Sequence, residues 1–294
     1  MKTKKKMTLK TLLSSTKINL AEAETILAFL LGKNREYIIT HQQIELDRKV
    51  IKTYQKFVKK RQKHYPLAYL LGYREFYGEK IIVNKHVLVP RPETELMIDY
   101  LLQYLANNKN DKSYQFIDIG TGSGAIIVTL AKTLNKQLGQ IYKNSNFLAS
   151  DISQSALQVA RKNIKNYNYE NKIKLKKSNL LAQIPSTYLT SNKALIITAN
   201  LPYLSHKEAI GEPTIIKEPR LALSAGLNGA RLYKRLFRQI KIKGIKGFLL
   251  LGEINPEQRK DILKLKNDIL KDCSLSLEFL QDLSRRTRFF ILKD

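Results

Sequence analysis

The sequence predicts an α/β protein: a mainly parallel sheet covered by helices, preceded by a small helical segment and a hairpin. Three observations carry that expectation. Between residues 8 and 63 apolar positions recur at helical spacing, first as Leu20, Ala23, Leu27 and Leu31, then as Val50, Tyr54 and Phe57. Tyr73–Val89 runs in short extended stretches broken at Gly78. From about residue 94 short apolar runs alternate with helical patterns, the texture of strand–helix–strand units.

Taken in order, Gly32 and Asn34 fit a stop between the early helices. Arg74–Tyr77 and Lys80–Val83 form the arms of the hairpin, and Pro90, Arg91 and Pro92 end it. Helices are expected at Glu95–Leu105, Ala125–Thr133, Gln154–Asn166, Leu232–Ile240 and Pro256–Leu270. Strands are expected at Phe116–Ile119, Phe147–Ser150, Ile173–Leu175, Ala194–Ala199 and Gly247–Glu253, with Leu275–Gln281 and Arg288–Leu292 as a closing pair. This divides the chain into a helical domain (1–72), a hairpin linker (73–93) and an α/β domain (94–294).

Composition narrows the function classes. A 43% apolar share suits a packed core and argues against wholesale disorder. No run approaches the roughly 18 apolar residues of a membrane span. Met1–Lys10 carries five lysines without a following apolar run, so it does not read as a signal peptide. A single cysteine, Cys273, excludes an intrachain disulfide and favours a cytoplasmic setting. His41, His64, His86 and His206 have no ligand spacing, so no metal site is expected. The net charge of +27 would attract nucleic acid or a ribonucleoprotein. The lysines are spread along the whole chain among abundant Asn and Ile, however, and that pattern also fits plain compositional bias.

Three motifs carry chemistry. Asp118-Ile119-Gly120-Thr121-Gly122-Ser123-Gly124 follows a strand and opens a helix, so main-chain N–H groups can face a ligand. Its G-x-G-x-G spacing differs from the dinucleotide G-x-G-x-x-G, and Asp118 suits a cationic amino-acid tail better than a pyrophosphate. Asp151, ending the next strand before Ile152, can hold a ribose through two hydroxyls, or can cap the helix at Gln154. Asn200-Leu201-Pro202-Tyr203 directly follows a strand. The Asn200 side-chain oxygen and the Leu201 carbonyl can accept both hydrogens of a planar N–H₂ group, Pro202 stiffens the turn, and Tyr203 can stack on the plane. Arg91, Glu93 and Glu95 form either an ion-pair patch or a wall of the site. Phe76 and Tyr77 read first as core, although the hairpin could place one beside a substrate.

Over nearly its whole length the chain resembles the glutamine N5-methyltransferases of peptide chain release factors, the HemK/PrmC family. Beyond the glycine loop, Asp151 and the Asn-x-Pro-Tyr turn, the resemblance rests on Pro66–Gly72 with Arg74–Gly78, which is similar to the family's interdomain hairpin, and on Val89-Pro90-Arg91-Pro92-Glu93-Thr94-Glu95. It extends to Glu218–Leu223, Gly226 with Gly229, Tyr233, Glu253-Ile254 and Asp282-Leu283-Ser284 with Arg288. It implies a class I, Rossmann-like, seven-stranded methyltransferase domain behind a helical domain that docks the partner. S-adenosyl-L-methionine would be held by Asp118, Gly120 to Gly124, Asp151, Ile152, Asn179, Leu180 and Asn200. Asn200 to Tyr203, with Arg91, Glu93 and Phe76 around them, would hold a release-factor glutamine. The enzyme would act as a cytoplasmic monomer, with a weak ribosome or RNA contact through its basic surface.

Two positions depart from the family pattern. Leu201 stands where the family has the first proline of Asn-Pro-Pro-Tyr, and Asn-Leu-Pro-Tyr is familiar from RNA adenine dimethyltransferases. Ser178-Asn179 replaces Ser-Asp, although an amide oxygen still accepts from an adenine amino group. A nucleic-acid adenine or guanine N-methyltransferase is therefore the alternative, with Tyr203 stacking on a flipped base. A non-catalytic adaptor on the same fold fits poorly with an intact set of site residues.

Overall fold

The computed structural model describes residues 7–108, 113–190, 192–203, 215, 217–223, 229–271 and 273–294; His206 and Gly226 lie outside the described residues. The chain splits into two compact units, Met1–Gly72 and Tyr73–Asp294.

The first unit is helical: α1 (Leu9–Ser14), α2 (Leu20–Leu31), α3 (Arg35–Thr40), α4 (Arg48–Arg61) and α5 (Leu67–Leu71). Side-chain oxygens of Asn19, Asn34 and Asp47 accept from backbone N–H groups at the starts of α2, α3 and α4. Leu9, Ile26, Leu27 and Ile38 close the core. Arg61 donates to both carboxylate oxygens of Glu22 at 2.9 and 2.6 Å, fastening α4 to α2. Pro66–Gly72, grouped with the hairpin by resemblance, instead folds as α5: Pro66 precedes the first turn, and Gly72 ends it with φ of 83°.

The second unit begins with an antiparallel hairpin, β1 (Tyr73–Phe76) and β2 (Glu79–Ile82). A 3₁₀ turn at Pro92–Thr94 leads into α6 (Glu95–Asn107). Then come β3 (Tyr114–Ile119), α7 (Ala125–Gln137), α8 (Gly139–Asn144), β4 (Asn146–Asp151), α9 (Gln154–Asn166), β5 (Ile173–Lys177), α10 (Ser186–Leu189) and β6 (Ala194–Ala199). They are followed by α11 (Arg220–Leu223), α12 (Arg231–Ile242), β7 (Phe248–Glu253), α13 (Arg259–Ile269), β8 (Ser276–Gln281) and β9 (Thr287–Lys293). The short helices α8 and α10 have no counterpart in the sequence expectation, because one turn and a half is too short to show an apolar period.

Among the described residues seven strands form one sheet in the order β5-β4-β3-β6-β7-β9-β8. β3 to β7 are mutually parallel, and β9 inserts antiparallel between β7 and β8. Helices cover both faces of the centre, which is why β3 and β7 are buried at every position and Phe248–Leu251 is an unbroken apolar run. The outer strands differ: β5 exposes Lys174, Lys176 and Lys177, and β8 exposes Ser276, Glu278 and Gln281. No described helix is long and apolar enough to cross a membrane.

Candidate functional site

The strand order reverses between β3 and β6, and in open α/β sheets the crevice at such a reversal, beyond the strands' carboxyl ends, takes ligands. A cavity of about 1080 Å³ lies there, lined by Gly120 to Ser123, Asp151, Ile152, Asn179, Leu180, Asn200, Leu201 and Pro202. The sequence motifs therefore converge on one space. A smaller hollow of about 630 Å³ opens near Ser113, Ala194 and Gly247, at the opposite ends of the strands.

The glycine loop is locked from both sides. Gly120 has φ of 71°, and a Cβ there would come within 3.1 Å of Leu201 Cδ2, so the loop and the Asn200 turn pack directly on one another. The Gly122 N–H donates to Asp151 Oδ2 at 3.0 Å, and the Ser153 N–H donates to Oδ1 at 2.8 Å. The cap of α9 is Ser153, whose hydroxyl oxygen accepts from the Ala156 N–H, so Asp151 is not the helix cap. Each Asp151 oxygen keeps lone-pair capacity toward the cavity, enough for a vicinal diol. Ile152 stays 50% exposed beside it, an apolar platform for a planar ring. Asn179 is anchored through its backbone: its N–H donates to Gln183 Oε1, and its carbonyl accepts from Gln239 Nε2.

Asp118 corrects the sequence expectation. It does not line the cavity but lies beneath the loop, buried, accepting from the Thr121 hydroxyl at 2.6 Å and the Thr198 hydroxyl at 2.7 Å. Both oxygens are thus engaged in stitching β3 to the loop and to β6, and Asp118 acts on the site through Thr121. Burial pushes its carboxyl up to about 6. A raised folded-state pKa contributes stability that is fully present below the unfolded value and is lost as pH rises through the folded one. Two units correspond to roughly 3 kcal/mol. Asp118→Asn is therefore expected to gain in melting temperature relative to the wild type as pH rises from 4 to 7. A gap that stays constant across that range would refute the assignment.

The Asn200 turn is held by residues distant in sequence. Asn200 Nδ2 donates to the Thr94 hydroxyl at 3.1 Å, and that hydroxyl donates to Glu253 Oε2 at 2.7 Å. Tyr233, fully buried, bonds through its hydroxyl to the carbonyls of Ala199 and Glu253 at 2.9 and 2.6 Å. The Tyr203 carbonyl accepts from Gln258 Nε2 at 3.3 Å. Burial raises the Tyr203 phenol, helped by Glu253 nearby, so the ring stays neutral.

The remaining expectations divide. Phe76, 1% exposed, lines the cavity from the hairpin. Arg91 and Glu93 are not among its lining residues. Arg91 pairs with neither Glu93 nor Glu95: its Nη2 donates to Glu218 Oε1 at 2.7 Å, while Glu218 Oε2 accepts from the Val89 N–H at 3.0 Å. Glu95 instead accepts from the Tyr77 N–H at 3.0 Å. Glu218, Glu253 and Asn163 are constraints that sequence reasoning did not assign. The one legible signal was a carboxylate ending the apolar run of β7. On the far wall of the cavity α12 presents Arg231, Lys234, Arg235 and Arg238, spaced along one helical face. Among the described residues no group of His, Cys, Asp and Glu could hold a metal ion.

A glycine loop and an acidic strand end at the reversal of a seven-stranded sheet with an inserted antiparallel strand define a class I methyltransferase. Residues 110–273 match the Methyltransferase domain family, and residues 9–72 match the PrmC N-terminal domain. The release factor glutamine methyltransferase of Bacillus cereus is 30% identical over 258 residues, covering 87% of this chain and 87% of the relative. This chain belongs to the release factor glutamine methyltransferase family. The bifunctional methyltransferase of Rickettsia prowazekii is 32% identical over 237 residues; this chain spans 43% of that relative's length. Among solved structures, the catalytic domain of human METTL16 in complex with the MAT2A 3'UTR hairpin 6 superposes with a TM-score of 0.58, at 16% identity, over 91% of this chain and 92% of the other. That likeness concerns the fold.

Proposed function

We propose that the protein transfers a methyl group from S-adenosylmethionine to the side-chain amide nitrogen of the Gly-Gly-Gln glutamine in class 1 peptide chain release factors. The observation that carries this reading is the orientation of Asn200. Its amide nitrogen is turned onto Thr94, which leaves its oxygen as the group it would offer a methyl acceptor, with the Leu201 carbonyl as the second. Two acceptors fixed in one turn suit the two hydrogens of an amide N–H₂, which is a weak nucleophile and needs aiming more than activation. The names of the relatives, which specify glutamine of release factors, point the same way.

The cavity fits the cofactor. Asp151 would take the ribose hydroxyls, Ile152 and Leu180 would flank the base, Asn179 would meet the adenine amino group, and the N–H groups of the glycine loop would face the amino-acid tail. When bound, the cofactor supplies a methyl group already activated on a sulfonium. The chain's own contribution is positioning: the Asn200–Tyr203 turn orients the acceptor, and the packing of Leu201 on Gly120 sets its distance from the loop. The helical unit would dock the release factor, and the setting would be cytoplasmic.

The basic face of α12 along the cavity favours the second reading, N-methylation of a nucleic-acid base. One experiment separates the two: labelled S-adenosylmethionine with the enzyme, release factor and RNA from the same cells. Label on the release factor, abolished by changing its Gly-Gly-Gln glutamine to alanine, supports the first; label on RNA supports the second. Cofactor binding has its own test. Asp151→Ala removes a charged acceptor and should weaken S-adenosylmethionine affinity by about 1.5–3 kcal/mol in calorimetry. An unchanged affinity in a folded variant would remove Asp151 from the site.

A further inference from the structure

We infer that Thr94 and Glu253 form a polarity relay that fixes which end of the Asn200 amide faces the acceptor, making both positioning residues for methyl transfer. The inference rests on the reading of Asn200 just given.

The two ends of an asparagine amide have nearly the same shape, so packing cannot choose between them; only hydrogen bonding can. Here the choice is made two residues away. Glu253, 2% exposed, ends β7 as a carboxylate and can only accept. The single hydrogen of the Thr94 hydroxyl goes to it at 2.7 Å. That hydroxyl is left with lone pairs for Asn200, and an amide meets a lone pair with its nitrogen, here at 3.1 Å. The carboxylate thus dictates the direction of every bond in the chain Glu253–Thr94–Asn200 and turns Oδ1 toward the cavity. Thr94 sits where the 3₁₀ turn runs into α6, and Glu253 at the carboxyl end of β7, so two rigid elements hold the relay. The Tyr233 hydroxyl binds the Glu253 and Ala199 carbonyls and locks the two strand ends together.

A neutral residue at the carboxylate position can reverse the chain. Glu253→Gln can donate its N–H₂ to Thr94; the hydroxyl then donates onward, and the Asn200 amide turns over to present two hydrogens to an acceptor that also brings hydrogens. Protonation of Glu253 does the same. Burial pushes this carboxyl up to about 7, with Glu93 raising it and Thr94, Arg288 and Arg91 lowering it. Tyr203 and Tyr233 face the same carboxylate.

The test measures release-factor methylation by the full chain. Glu253→Gln should lower kcat about 10- to 100-fold while cofactor affinity stays within about threefold. The fall in wild-type rate below about pH 7 should disappear in that variant. Thr94→Val should lose kcat in the same way, and Thr94→Ser, which keeps the hydroxyl, should restore most of it. In an Asn200→Ala background Glu253→Gln should add nothing further. Should Glu253→Gln fail to fold, the Thr94→Val and Thr94→Ser pair decides. A wild-type kcat in folded Glu253→Gln or Thr94→Val, with Asn200→Ala inactive, overturns the relay alone. An active Asn200→Ala overturns the reading beneath it.

Discussion

Replacing Asn200 with alanine should reduce turnover by roughly 30- to 1000-fold, because positioning and electrostatic contributions of this kind are commonly worth about 2–4 kcal/mol. The substitution removes the acceptor at the mouth of β6 and leaves Thr94 without its amide partner. It leaves the supports of the glycine loop in place, since Asp118, Asp151 and Leu201 hold that loop independently. S-adenosylmethionine affinity should therefore change far less than rate. Asn200→Asp is the gentler variant: it keeps an acceptor, adds charge, and loses the hydrogen given to Thr94. Turnover of Asn200→Ala near the wild-type value, on any acceptor, would show that the active site has been misplaced.

The second large effect should appear at Asn163, in stability before rate. Fully buried on α9, Asn163 accepts from the Ile82 N–H at 2.7 Å and donates to the Ile82 carbonyl at 2.9 Å and the Ser123 carbonyl at 2.8 Å. One side chain thus fastens the second hairpin strand and the glycine loop to the same helix. Asn163→Leu matches its size but orphans three backbone groups, and should cost roughly 3–6 kcal/mol at about 1–2 per group. Thermal or denaturant unfolding would read that loss directly. Because the hairpin brings Phe76 to the cavity, the surviving folded enzyme should also bind its acceptor more weakly. A variant as stable as the wild type would mean that water or backbone adjustment replaces these bonds at no cost.

The division between what the sequence revealed and what it concealed follows sequence distance. The glycine loop, the acidic strand end and the Asn-Leu-Pro-Tyr turn are short contiguous words, each placed after a strand that periodicity marks out. Their convergence then follows from the rule that ligands gather at the carboxyl ends of parallel strands. Asn163 is a single polar residue in an ordinary helix, and although the Glu218 and Glu253 segments carry part of the family resemblance, the partners of Glu218, Glu253 and Asn163 lie 127, 159 and 81 positions away. Nothing local marks such a pairing. Asp118 misled for a related reason: its neighbours in sequence suggested a ligand contact, while the hydroxyls that claim it come from the loop above it and from β6. Arg91 has acidic neighbours at Glu93 and Glu95 yet binds a carboxylate from a remote segment.

A parallel sheet has a weakness at its margins, where unpaired N–H and C=O groups invite a strand from another molecule. At one margin this protein places Lys174, Lys176 and Lys177 along β5, so a second copy approaching there would bring like charges face to face. At the other, β9 turns back inside β8, so the strand left outermost belongs to a local hairpin carrying Glu278 rather than to the wholly buried β7. Without that hairpin β7 would present an open, largely apolar edge, the kind of surface on which incompletely folded chains self-associate. Like charges along β5 thus oppose edge-to-edge stacking of two copies, an effect that needs no binding partner.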